Sequence, residues 1–543
     1  VATAPIPTWS AGSQPTAEIP QFEAPGSGDP AAAAWGAAPA ADGSWAGAPG
    51  ATAYAVEPPT KQKRSRGVVI GIVAAAVVLI AGAGVAGAAW FFGWFGGKTP
   101  ADVLPGDTAL YLRVELNPSM AQKTAALQYF RELPEVAELG VGGETDPRKV
   151  LWKLIADQSG DALAGIDYDA DIQPWLGDKA GISLTPRPEN AENSYEPSVA
   201  VALQITDETK ARAGLAKLIA KGDGKQDVTI RDGYAIITAT EDTSQVLASL
   251  VSGTLAQNQD FAGDMRALGD TGLASAWFDL DRTYNMVTPA LPTSPASVQV
   301  QGRAAMAVRI TGDTLELGGV LRGGDPTYTA LTPSGNGLGA LPAETGVAVN
   351  AQGLGKLLQD NWSAIQENYG DMSYWSDMGI EMPDDLAALL GRNFTLAMSA
   401  DSVRAIASAD YESIPDIGLI SVGDNAGLAQ ETARKLLTAT GSEFPDAIAD
   451  DTYTMATSDA YLGILKDSGG ARLSGVEKFT KAVPDSAGAT GSYYVDLEAM
   501  EPWFAQYSDE RYRDFLTQLR STGLASRSTG SGEASWSFRL IRS

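Results

Sequence analysis

The sequence predicts an α+β protein: two tandem, internally duplicated lobes of mostly antiparallel sheet with packed helices, preceded by a disordered tail and a single transmembrane helix. Three observations predict it. Segments after residue 100 recur about 214 residues later in the same order. An uncharged apolar run covers residues 67–97, and residues 1–60 hold ten of the 30 prolines with no Lys or Arg.

The first 60 residues mix Pro, Ala, Gly and Ser with scattered aromatics (Trp9, Phe22, Trp35, Trp45, Tyr54) and show no sustained period. Such a segment buries too little apolar surface to offset the entropy of ordering it, so a disordered cytoplasmic tail is expected. The chain opens on Val, which fits an alternative start codon or a missing front end. A basic juxtamembrane segment follows at 61–66, with Lys61, Lys63, Arg64 and Arg66. As a helix, the run 67–97 would rise about 46 Å against a hydrocarbon core of about 30 Å. Trp90, Phe91, Phe92, Trp94 and Phe95 stand where an interfacial aromatic belt belongs. The bases before the run put the N-terminus in the cytoplasm and the remainder outside. A secretory signal peptide is the rival reading, but its apolar region is shorter and its charged region is not so deep. Gly67 and Gly71, and Ala83 and Gly87, lie four apart, a spacing that permits close helix approach and weak self-association.

From residue 98 the composition is that of folded protein. Residues 98–325 are expected to form lobe 1 and 338–543 lobe 2, with a linker at 326–337. SVAVALQI (198–205) reads as a buried strand and TDETKARAGLAKLIAKG as a helix, capped by Thr206 or Asp207 and ended by Gly222. Residues 232–240 and 273–280 read as strands, and 305–322 as a hairpin turning at TGD. The repeat sets GIDYDADIQPWLGDKAGISL (165–184) on GIEMPDDLAALLGRNFTLAM (379–398), with Gly165 on Gly379, Asp171 on Asp385 and Gly177 on Gly391. So long a period means duplicated lobes and not a solenoid of short repeats. Hairpins and short connections imply antiparallel sheets with helices on one face.

Catalytic and ligand-binding signatures are scarce. The chain has no His and no Cys, which removes Ser-His-Asp and Cys-His catalysis, His or thiolate zinc sites and disulfides. Its net charge of -27 at pH 7, with no Lys/Arg cluster after Lys98, excludes nucleic acid. GAGVAG (82–87) has the spacing of a dinucleotide loop, but no strand–loop–amphipathic-helix unit surrounds it, and Pro100, Pro105 and five aromatics lie between it and Asp107, an acid at about the right distance. GGKT (96–99) ends like a phosphate-binding loop, yet Phe92 occupies the position of its first Gly. DYDADIQPWLGD (167–178) places acids at four positions of a calcium loop but Ile172 where the sharp turn needs Gly, and the second repeat holds Glu381, Pro383 and Asp385 at the first three, so the duplicated fold does not need three acids there. A helix start with solvated acids is expected there instead. No catalytic residue, cofactor or metal ligand is assigned.

The entry strand ADVLPGDTALYLRV, Asn117-Pro118-Ser119 with the helix after it, and Pro174-Trp175-Leu176-Gly177 resemble the actinobacterial membrane-anchored proteins of the domain-of-unknown-function 3352 family. The likeness extends over most of residues 100–543 and implies an envelope location without implying catalytic residues. The sequence is thus read as a single-pass, extracytoplasmic, non-enzymatic binding or scaffold module of the cell envelope, with an envelope protein or apolar ligand as partner. A carrier or sensor of a lipid is the first alternative, and a carboxylate-dependent wall hydrolase the second.

Overall fold

The chain is described by a computed structural model over residues 98–133, 146–159, 163–188, 196–222, 224–287, 301–326, 337–369, 373–409, 414–467, 469–530 and 532–543. Sixteen strands make one sheet, in the order β12-β13-β11-β10-β9-β14-β15-β16-β8-β7-β6-β1-β2-β3-β5-β4, in which every described pairing is antiparallel. In the first half these strands are β1 (Leu110–Glu115), β2 (Leu176–Thr185), β3 (Ser198–Ile205), β4 (Gln226–Arg231), β5 (Tyr234–Ala239), β6 (Ala274–Asp279), β7 (Arg303–Thr311) and β8 (Thr314–Arg322). The second half supplies β9 (Thr345–Gln352), β10 (Asn393–Ser399), β11 (Ile417–Val422), β12 (Asp446–Ala449), β13 (Thr452–Ala456), β14 (Gly491–Asp496), β15 (Leu519–Gly530) and β16 (Glu533–Arg542).

Reading outward from the centre, the first half runs 8-7-6-1-2-3-5-4 and the second 16-15-14-9-10-11-13-12, the same order strand for strand. The halves meet where β8 pairs with β16, from Thr314↔Ile541 to Arg322↔Glu533. Equivalent strands that pair antiparallel within one sheet are related by a two-fold axis normal to it, so equivalent faces lie on the same side.

This corrects the expected fold. The halves are not separate lobes, because β8 and β16 would each be an exposed edge and instead satisfy one another's backbone groups. Lys61–Ser543 accordingly forms one compact unit. No helix among the described residues is long and apolar enough to cross a membrane. The run 67–97 to which a span was assigned lies outside the described residues, as do residues 1–60, the basic segment 61–66 and most of the linker.

Helices also pack on both faces of the sheet, not on one. In the first half, the face carrying Tyr111, Ala200, Ala202, Tyr234, Ile236 and Trp277 meets α4 (Thr243–Ser252) and α5 (Gln259–Leu268) through Val246, Leu250, Phe261 and Leu268. The alternate residues Leu112, Ile182, Val201, Ala235 and Ile237 meet the other layer through Ile172, Trp175, Ala211 and Leu215. That layer contains α2 (Pro147–Ser159) and α3 (Glu208–Lys221). The unbroken apolar run of SVAVALQI follows from this burial on both sides.

The central strands are less even. Their first face carries Arg309, Glu316 and Arg539, paired at 2.6 Å (Arg309 to Glu316 and Arg539 to Glu316), beneath α5 and the short helix Glu477–Ala482. Away from Arg542 at the end of β16 and Arg520 at the irregular start of β15, their second face carries uncharged residues on β7, β8, β16, β15, β14, β9 and β10. One margin of that face is covered by α1 (Met120–Phe130) and the segment around Phe515, through Tyr129, Phe130, Ile310 and Leu315. Buried Arg542 fixes α1 there by donating to the Tyr129 carbonyl and the Glu132 carboxylate, while the Tyr129 hydroxyl donates to the Leu540 carbonyl at 3.0 Å.

Candidate functional site

An apolar concavity is built on the second face of the first half. Asp167 starts a single π-turn, Tyr168–Ile172, by accepting from the Ala170 N–H at 2.7 Å, and the chain then turns Trp175 inward. Trp175 is buried, and its indole N–H donates to the Asp171 carbonyl at 2.5 Å. It lies so close to α3 that a Cβ on Gly214 would stand 2.3 Å from its Nε1. Gly214 is therefore what lets the helix seat against the indole.

Beside Trp175 a cavity of about 150 Å³ remains, partly open to solvent. Its floor is Val201, Leu203 and Ile237 of the sheet; α3 supplies Leu215, Leu218 and Ile219, and α2 supplies Leu151, Trp152 and Ile155. Apart from the Trp indoles, Arg148 and Gln226 are its polar lining residues. A space of this size with apolar walls accepts a small apolar guest of roughly benzene size, or a segment of a hydrocarbon chain.

The helix that roofs the cavity is anchored at its start. Pro147 occupies its first position, where the missing N–H is no loss. The Arg148 guanidinium donates to both oxygens of Asp146 (Nε to Oδ1 at 3.0 Å, Nη2 to Oδ2 at 2.9 Å) and to the Leu176 carbonyl at 2.6 Å. The Tyr168 hydroxyl donates to the same carboxylate at 2.8 Å. Burial pushes the Asp146 carboxyl up, but the hydrogen bonds from Arg148 and Tyr168 outweigh it and hold the group below the usual carboxylate range. Burial, reinforced by that carboxylate, pushes the Tyr168 hydroxyl up. Both groups stay in the protonation state that keeps the anchor closed near neutrality.

A second, more open groove of about 690 Å³ follows helix Ala426–Thr440 in the other half. Both of its cations are tied to the protein: Lys435 reaches Glu431 at 3.0 Å and Asp385 at 3.2 Å, and Arg434 reaches Asp446 at 2.9 Å.

Most residues singled out from sequence lie outside the described residues: Lys61, Lys63, Arg64 and Arg66; Gly67, Gly71, Ala83 and Gly87; Trp90, Phe91, Phe92, Trp94 and Phe95. The described end of GGKT is structural, because Lys98 pairs with Asp232 at 2.7 Å and Thr99 caps the turn Pro100–Asp102. In the 167–178 loop the acids point to different partners. Asp169 meets Lys149 at 2.5 Å, Asp171 takes the Lys217 ammonium and the Asp167 N–H, and Asp178 accepts from Asn117 at 2.8 Å. Asp385 repeats the role of Asp171, accepting from the Glu381 N–H at 3.0 Å and pairing with Lys435. No group of three acids among the described residues is placed to hold a metal ion. Sequence reasoning missed α2 and with it the cavity. The signal was Leu151, Trp152 and Ile155 at helical spacing behind a Pro at the first turn.

The geometry thus defines a broad antiparallel α+β protein whose distinguishing concavity is apolar. Residues 72–261 match the family model described as "Protein of unknown function (DUF3352)", which supports the resemblance over the first half and not over most of 100–543. No curated protein matches the chain. Among solved structures, one described as "Structure of crystal form I of TP0453" aligns at 8% identity with a TM-score of 0.21, covering 42% of this chain and 80% of that one. At that score it carries no argument about fold or function.

Proposed function

We propose that the protein is a non-enzymatic binding module of the cell envelope, and that its ligand is an apolar molecule held in the cavity between α2, α3 and the sheet. The observation that carries this reading is the cavity itself, since apolar walls with few polar groups select for hydrocarbon. The lining supports binding over hydrolysis, because it holds no carboxylate, and Asp146, which pairs with the lining residue Arg148, is committed to Arg148 and Tyr168. The basic segment and uncharged run at 61–97 support an extracytoplasmic place at the cell membrane for the sheet.

Native mass spectrometry of detergent-extracted protein tests the reading. A reproducible bound mass is expected, and it should be lost in Leu218→Trp, where a larger side chain on α3 fills the space. A wild-type protein that is consistently empty overturns it. Protease treatment of intact cells tests the location, with cleavage expected after residue 98 and none in residues 1–60.

A further inference from the structure

The floor of the cavity does not end at the cavity. Leu203 pairs with Ala180, which pairs with Val114 and then Ala274, so the row leaves the first half without meeting a polar side chain. It crosses the centre through Val308, Leu317, Phe538 and Leu524. From there it enters the second half at Tyr493 and reaches Val349 and Leu396. At about 4.8 Å per strand, the eleven-strand row is roughly 48 Å long. None of its members is buried, and Val349 and Leu396 are 47% and 41% exposed.

This strip is a trough floor. In the first half α2 and α3 stand on the same face; in the second, Leu389 of the short helix Asp384–Leu390 and Ala429 of Ala426–Thr440 pack on that face against Leu419 and Met455. Along one side, α1 and Phe515 complete the wall. Helices packed on a sheet rise about 10 Å above it, which keeps a flat protein surface off the floor while admitting a slender chain. The floor carries no charge, each residue on it has its backbone already paired in the sheet, and its one polar side-chain group, the Tyr493 hydroxyl, is hydrogen-bonded with Thr522, so it offers a ligand chiefly dispersion and desolvation.

We propose that this face of the central sheet is a bed for the acyl chains of a membrane phospholipid, continuous with the cavity. The inference rests on the reading that the ligand is apolar, and it extends the site from a small pocket to an open track. A space of about 150 Å³ with apolar walls has no room for a polar headgroup, whereas an open-sided trough holds a chain while its headgroup stays in water. The half-exposed row and the cavity then serve one ligand: the chain slides along the sheet and its end enters between Trp152 and Trp175.

Photolabelling of the full chain tests the proposal. The probe is phosphatidylcholine with a diazirine on one acyl chain, carried in phosphatidylcholine vesicles, zwitterionic because the protein carries a net charge of -27. Label is expected on β8, β16 and β9 as well as on the cavity segments. A Val349→Glu/Leu396→Glu variant, changed at exposed positions where folding is not at stake, should lose about tenfold of the label on β9 and β10 while keeping that in the cavity. Label in the cavity alone overturns the track and leaves the binding module standing. Label on the track alone keeps the track and overturns the cavity as the ligand site. No label at all overturns both, and undiminished β9 and β10 label in the variant overturns the track.

Discussion

The two halves carry the same eight-strand order, yet they treat the same face differently. Leu112 and Ile182 pair across β1 and β2; Val349 and Leu396 pair at the equivalent positions of β9 and β10. The first pair is 8% and 7% exposed, beneath the layer that includes Trp175; the second is 47% and 41% exposed. On the opposite face the exchange is one of charge. Arg113 and Glu115 form an ion pair in the first half, while Asn350 and Gln352 join by a 3.2 Å amide hydrogen bond in the second. The duplication preserved the sheet, whose geometry is set by backbone pairing, and released the side-chain layers, which then diverged into a covered half and an open one.

The largest expected break in this comparison is at Trp175, whose counterpart in the repeat is Leu389. Trp175→Ala should destabilise by about 3–5 kcal/mol, at or above the roughly 2–5 kcal/mol of Leu389→Ala, with urea unfolding as the measure. The same method should separate Ile182→Ala, at about 2–5 kcal/mol, from Leu396→Ala, at less than about 1 kcal/mol. Equal losses at 182 and 396 would mean that the second half is covered in solution.

A smaller effect sharpens the charge exchange. Arg113→Asn alone leaves Glu115 half-paired, at a loss of about 1.5–3 kcal/mol, and adding Glu115→Gln, which copies the second half, should recover part of it. Burial raises the Glu115 carboxyl pKa despite Arg113, so its own titration favours the fold below the ordinary value of 4.5 and that contribution is lost as pH rises through the folded pKa. Asp146 titrates with the opposite sign. Its pKa is lowered in the fold, so its contribution is complete above the ordinary value of 3.8 and is lost as pH falls through the folded pKa. The smallest effect expected is therefore a weakening of the α2 anchor in that acid range, absent in Asp146→Asn. Hydrogen exchange of Leu151–Ile155 relative to helix Ala426–Thr440 would report it.

Much of the local structure was legible in the residues. SVAVALQI is β3 with the bounds expected of it, Asp207 caps α3 and Gly222 ends it, and the hairpin at 305–322 turns at Gly312-Asp313. These are local signals: a cap, a period, a turn. The joining of β8 to β16 was not legible, because an edge strand looks the same in sequence whether it ends a sheet or pairs with a segment some 220 residues away. Nor was the trough. Leu317, Phe538 and Leu524 belong to three different strands, and only their register places them side by side. Even the cavity depends on Gly214, an ordinary helix residue until Trp175 is seen against it.

The β8–β16 junction also bears on ancestry. An interface made by one strand against its own structural equivalent, about a two-fold axis, is the geometry by which two identical chains associate. A single eight-strand ancestor ending at such a strand would have had an open edge, and the simplest closure for that edge was a second copy of itself. The present chain holds both copies covalently. Once the partners were fused, each became free to mutate alone, and a symmetric pair of identical surfaces became a molecule with two unlike ends.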